Sequence, residues 1–170
     1  MKPTISMLAV LIGLTMAGVA RAQVTPAAQQ VETIPAAQTA PQSPPVTDWH
    51  PFSRSATRIY MVDVGGMAQS EGVVMVKVAR VPLNLPEPND YTHVIDDFEL
   101  RCAADESRTT VSTEYGPDGV QTDRFEEESP WEGIRRESLD AYLKGIVCDG
   151  NRSAPPTWPS IQAFIDAGRR

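Results

Sequence analysis

Basic residues are scarce in this chain of 170 residues: 15 Lys and Arg stand against 22 Asp and Glu, for a net charge of −7. A surface of that sign excludes nucleic acid, heparin-like polymers and anionic lipid as partners of first choice. Cysteine is scarcer still. Cys102 and Cys148 are the two present, with no Cys-x-x-Cys pair, which excludes the common redox and zinc frameworks. There are two histidines, His50 and His93, and the sequence around Ser70, Ala68-Gln-Ser-Glu-Gly72, lacks the first glycine of a nucleophile elbow. No catalytic residue can therefore be named. Aromatic residues make up 6% of the chain, and no run beyond residue 22 is apolar enough to span a bilayer.

What is present begins with an export pattern. Met1 and Lys2 precede an uncharged stretch from Ile5 to Val19, and Ala20-Arg-Ala22 supplies small residues around a cleavage point. Residues 1–22 read as a secretory signal, with the mature chain starting at Gln23 and residing in the periplasm or outside the cell. Loss of Lys2 and Arg21 leaves 13 basic residues against 22 acidic ones, a net of −9. In an oxidising compartment an isolated pair of cysteines is most simply a disulfide.

Residues 23–47 are dominated by Ala, Gln, Pro, Thr and Val, with Glu32 the single charge before Val46, and read as a proline-stiffened linker. Residues 48–170 are then one domain with its own core. Arg58–Val64 and Val73–Val81 are β-branched and aromatic runs expected to pair as a hairpin. Phe98, Leu100, Cys102 and Ala104 alternate on one face of a third strand. Thr109–Tyr115 and Val120–Phe125 flank Gly116-Pro-Asp-Gly119, strong turn chemistry, and Glu126–Glu128 close that hairpin as a solvated acidic edge.

Ser138 is placed to cap a helix whose buried stripe is Leu139, Tyr142, Leu143 and Ile146, ending near Gly145 or Ile146, with Asp140 and Lys144 as an i,i+4 pair. A short second helix starts at Ser160 and buries Ile161, Phe164 and Ile165. Strands followed by helices give an α+β fold, an antiparallel sheet of about five to six strands flanked by a C-terminal helix.

These landmarks resemble the surface-adhesin protein E family of exported Gram-negative bacterial proteins, from about Trp49 to Cys148. The carrying pieces are Tyr60-Met-Val-Asp63, Pro86-Glu-Pro88, Tyr91, Phe98-Glu-Leu-Arg-Cys102, Tyr115 before a glycine turn, Ser138-Leu139 and Val147-Cys148. The resemblance implies an antiparallel sheet under a C-terminal helix, a Cys102–Cys148 bond, a homodimer, and binding rather than catalysis. Adhesive members carry basic residues just before the first cysteine, where this chain has Asn89, Asp90, Asp96 and Asp97.

Asp90, His93, Asp96 and Asp97 are the one grouping whose residue types suit a hard metal or acid/base work. Asp90, His93 and Asp96 are the candidate metal ligands, but they lie on a loop entering a strand, where alternate side chains diverge. A hydrated acidic loop is the plainer reading, and Asn89, Asp90 and Tyr91 in it form a candidate binding surface. Asp63, at a strand end, is expected to bond turn amides. Trp49, Trp131, Trp158, Tyr60, Tyr91, Tyr115 and Tyr142 suit core and rim packing, with a stacking platform as the alternative. The functional expectation is a non-enzymatic exported envelope or binding domain that needs no cofactor and meets a host or envelope protein. The alternative is a periplasmic metal-dependent or hydrolytic enzyme centred on His93.

Overall fold

The computed structural model describes residues 46–170, so the secretory signal and nearly all of the linker lie outside the described residues. Within them, eight strands form one antiparallel sheet: β1 (Trp49–Arg54), β2 (Arg58–Asp63), β3 (Ala68–Ser70), β4 (Val73–Pro82), β5 (His93–Arg101), β6 (Glu106–Tyr115), β7 (Gln121–Glu126) and β8 (Glu132–Gly133). Two helices follow, α1 (Leu139–Val147) and α2 (Ile161–Asp166). The main path is β1-β2-β4-β5-β6-β7, with β3 continuing the edge of β4 beyond β2 and β8 pairing with β6. The α+β class and the antiparallel sheet agree with the sequence, but the strands number eight rather than five or six. The unforeseen ones carry no usable pattern: β1 holds Pro51 and a bulge between Pro51 and Ser53, and β3 and β8 are only 3 and 2 residues long.

β2 and β4 pair antiparallel from Arg58↔Pro82 to Val62↔Val78. Their connection is longer than a hairpin turn, because β3 folds back onto β4 through Glu71 and Gly72, both at positive φ. The burial of β4 explains the layout of the whole domain. Val74, Val76 and Val78 are buried on one face, then Ala79 and Val81 on the other, although the β2–β4 register runs without a slip across the change. The strand is thus covered on opposite faces at its two ends. On the first face α1 seals Val62, Val76, Val78 and Leu100 with Leu143 and Ile146. On the second, α2 seals Ile59, Met61, Ala79 and Val81 with Ile161, Phe164 and Ile165. Each fully buried side chain of this kind contributes roughly 1.5–3 kcal/mol.

Both helices begin where their caps require. The Ser138 hydroxyl accepts from the amide of Ala141 at 3.1 Å, and that of Ser160 from Ala163 at 3.0 Å. Three details of α1 differ from expectation. It runs to Val147, Tyr142 is exposed, and Asp140 and Lys144 do not pair with each other. Asp140 instead accepts from the Ser107 hydroxyl at 2.6 Å and Lys144 pairs with Asp105, so the two side chains tie the helix to the start of β6 and to the turn before it. Tertiary partners outcompete a helical pair worth only about 0.2–0.5 kcal/mol.

Cys102 lies just past β5, in the turn before β6, and is bonded to Cys148 at the end of α1 with a Cα–Cα distance of 5.7 Å. The expected strand to Ala104 stops at Arg101 because residues 102–105 turn, with Asp105 at positive φ. The Gly116–Gly119 turn is present: the Gly119 amide donates to Gly116 O at 2.9 Å, and Gly119 sits at φ 75°. Among the described residues no helix is long and apolar enough to cross a membrane.

Candidate functional site: an open half-face and a free sheet edge

Because the helices cover opposite ends of opposite faces, half of each face is left without a helix. On the face that carries α1, the open half holds Tyr60, Arg80, Asp96 and Ser112, which share that face through the pairs Tyr60↔Arg80 and Asp96↔Ser112. A groove of about 350 Å³ lies there, walled by Leu139 and Glu127. Its charges are held tightly. Arg80 Nη2 donates to Asp96 Oδ1 at 2.8 Å, the Ser112 hydroxyl donates to the same oxygen at 2.6 Å, and Arg80 Nε approaches Asp96 Oδ2 at 2.6 Å. The last contact is an ion contact off the hydrogen-bond direction, since that N–H finds no aligned acceptor. The open half of the other face is tiled in the same way by Lys77–Asp97 and by Arg108 on Glu99, 2.8 Å from Nε and 2.6 Å from Nη2.

The candidate metal ligands are not brought together. Asp96 faces Arg80; His93 lies on the opposite face, stacked on Tyr115 with ring centroids 4.4 Å apart; and Asp90 accepts from the Thr92 amide at 2.9 Å. No group of three His, Cys, Asp or Glu positioned for a metal ion exists among the described residues. The hydrogen bonds from Thr92 hold the Asp90 carboxyl below the usual carboxylate range.

Of the candidate binding surface, Asn89 is exposed, and Asp90 and Tyr91 are half-buried under the C-terminal segment. Arg169 Nη1 donates to Pro88 O at 2.8 Å and its Nη2 to Asp90 O, while the Tyr91 hydroxyl donates to Asp166 at 2.8 Å. That bond to Asp166 pushes the Tyr91 phenol upward. Much of this loop's polar capacity is therefore spent on holding residues 166–169 in place. The aromatic residues likewise disperse. Trp49 is buried, Trp158 meets Phe164 edge-on at 5.8 Å, and Trp131 lies under the guanidinium groups of Arg101 and Arg108, 3.9 and 4.5 Å from its ring centre.

His93 has a consequence for stability. Burial holds its imidazole below the ordinary histidine value, only partly offset by the Nδ1–H donated to Tyr91 O at 2.6 Å. The unfolded chain therefore takes up a proton near pH 6.5 that the folded chain resists. Stability should fall as pH drops below about 6.5, until the depressed folded value is reached. His93→Phe, which keeps a ring against Tyr115, should flatten the dependence of urea midpoint on pH between about 7 and 5. An unchanged slope in the variant would place the titration elsewhere.

The sheet has two outer edges, and they differ. At β1, Trp49 and Trp158 exchange backbone hydrogen bonds of 2.8 and 3.0 Å, Ser153 donates to Pro51 O, and Pro51 has no N–H to offer. At β7, all six residues are exposed, and no described residue pairs with the outer side. Phe125 pairs with Ser112 and so lies on the face of the groove, 47% exposed. The sequence had flagged neither Arg80 nor Phe125. Arg80 was the legible one, as the charge that continues the alternation of Val74, Val76 and Val78. Phe125 reads as an ordinary strand residue until the sheet order makes β7 an edge.

No protein-family model, curated protein or solved structure matches this chain.

Proposed function

We propose that the chain is a non-enzymatic exported envelope or binding domain, of the kind the surface-adhesin protein E resemblance implies, and that it meets a protein partner through its uncovered sheet. The mature form works in the periplasm or outside the cell, and its disulfide suits an oxidising compartment. One observation carries the reading. β7 contributes no buried residue to the core, yet it is built as a regular strand with Phe125 exposed beside a groove. A strand that stabilises little internally and leaves its outer backbone free is a surface for adding a strand. The enzyme reading has no comparable support, since Asp90, His93 and Asp96 point to different surroundings.

The test is capture of a saturable partner from envelope extract of the native host by the disulfide-bonded mature chain. A protein retained equally by His93→Ala supports the binding reading. A metal-dependent activity lost in that variant, with no protein captured, would replace it.

A further inference from the structure

We infer that the open edge of β7 accepts an extended cationic segment of a partner protein as an added strand, with an apolar side chain of that segment seated on Phe125. The inference rests on the protein-binding reading above and names the partner's chemistry.

The backbone fixes which groups are available. The Glu127 amide donates inward to Thr110 O at 2.8 Å. Successive residues of a strand turn their N–H and C=O to opposite sides, so Phe125 and Asp123 also point inward, to β6. Arg124 and Glu126 therefore present theirs outward, and no described group bonds them. Two donors and two acceptors stand at strand spacing on an exposed edge, the template that edge strands ordinarily conceal.

The side chains select the occupant. From Asp118 to Glu128 five acids stand against Arg124 alone, and all six are exposed. A second copy offering the same edge would set that acidic edge against its like. The isologous register that seats Phe125 on its own mate places Asp123 opposite Glu127 of the other copy. A basic strand meets the opposite sign instead. Asp123 and Phe125 share one face, that of the groove, so the occupant carries its basic and apolar side chains two residues apart, on one face of the added strand.

The probe is a blocked peptide, Thr-Lys-Thr-Phe-Thr-Lys-Thr, which sets Phe and both Lys on one face; it is titrated into the disulfide-bonded mature chain and followed by amide hydrogen exchange, with the peptide bearing Glu in place of Lys as control. At saturation the Arg124 and Glu126 amides should slow at least about tenfold, while Asp123 and Phe125, already bonded to β6, change little. Arg124→Pro removes one outward donor at an edge position where proline is tolerated, and it also removes a positive charge. The charge change favours a cationic peptide, so weaker binding by this variant isolates the lost N–H. Phe125→Ser, at an exposed position, should weaken binding without touching the backbone.

Unchanged exchange at Arg124 and Glu126, equal binding of the Glu peptide, or full binding by both variants would overturn the inference. So would a chain that light scattering finds dimeric with those two amides already protected, since a second copy would then be the occupant. If Arg124→Pro and the parent capture the same envelope protein equally, this edge is the wrong location while the binding reading stands. If the parent captures no protein at all, the binding reading itself fails.

Discussion

Replacing both cysteines by serine should lower the stability of the mature chain by about 4 kcal/mol, the chain-entropy value for a closed loop set by a sequence separation of 46. For a domain of this size the melting temperature should fall by roughly 15 °C, and strong reductant should reproduce the fall in the parent protein. Cys148 ends α1, and α1 is the cover of the Val62, Val76, Val78 and Leu100 cluster. In the unfolded chain the bond keeps strand and helix near each other; in the folded chain it fixes the helix end against the β5–β6 turn, where Lys144 pairs with Asp105. Thermal melting of parent, double variant and reduced parent checks it. A loss below about 1 kcal/mol would show that the helix is held by packing alone.

Local chemistry made much of this fold legible in the sequence. Ser138 announces its helix because a hydroxyl before a free amide turn acts over three residues, and its cap closes as expected; Ser160, read as the start of the second helix, is its cap. The Gly116–Gly119 turn is legible for the same reason, since its chemistry is contained in four residues. The buried set of α2, Ile161, Phe164 and Ile165, follows from helical spacing alone.

What escaped depends on partners far along the chain. Tyr142 lies at a spacing that suits the buried stripe, yet the sheet offers it nothing to pack against and it remains exposed. β1 and β3 are strands because β2 and β4 accept their hydrogen bonds, not because Pro51 or Ala68-Gln-Ser70 prefer extended structure. The divergence of the acidic residues was legible, but the partners they meet were not. The acids at residues 90, 96 and 97 look like one cluster in sequence, but alternation sends Asp96 to Arg80 and Asp97 to Lys77 on opposite faces. Conversely, the groove and the free edge exist only once the sheet order sets β7 outermost.

Asp63→Ala should cost about 3 kcal/mol or more, because it removes the acceptor for three backbone amides at once. Asp63 is 1% exposed, and its Oδ1 accepts from Asp48 at 2.9 Å, Gly65 at 3.2 Å and Gly66 at 3.1 Å. These bonds fasten the chain entering β1 to the turn leaving β2, beside the backbone bond that the Val64 amide donates to Asp48 O at 2.9 Å. Asp63→Asn keeps one carbonyl oxygen for the same donors and should lose only about 1 kcal/mol, the difference between charged and neutral acceptors.

The surrounding glycines are required for a steric reason that gives a second check. A Cβ on Gly66 would stand 2.4 Å from Asp63 Oδ2, and one on Gly65 would stand 2.2 Å from the carbonyl oxygen of Val46. Gly66→Ala should therefore disturb the same carboxylate. Combined with Asp63→Ala it should cost clearly less than the two single losses added together, a shortfall of at least about 0.5 kcal/mol in a double-mutant cycle read by urea unfolding. Strict additivity would mean that the carboxylate and the glycine turn stabilise the fold separately, and that Asp63 is not the tie between them.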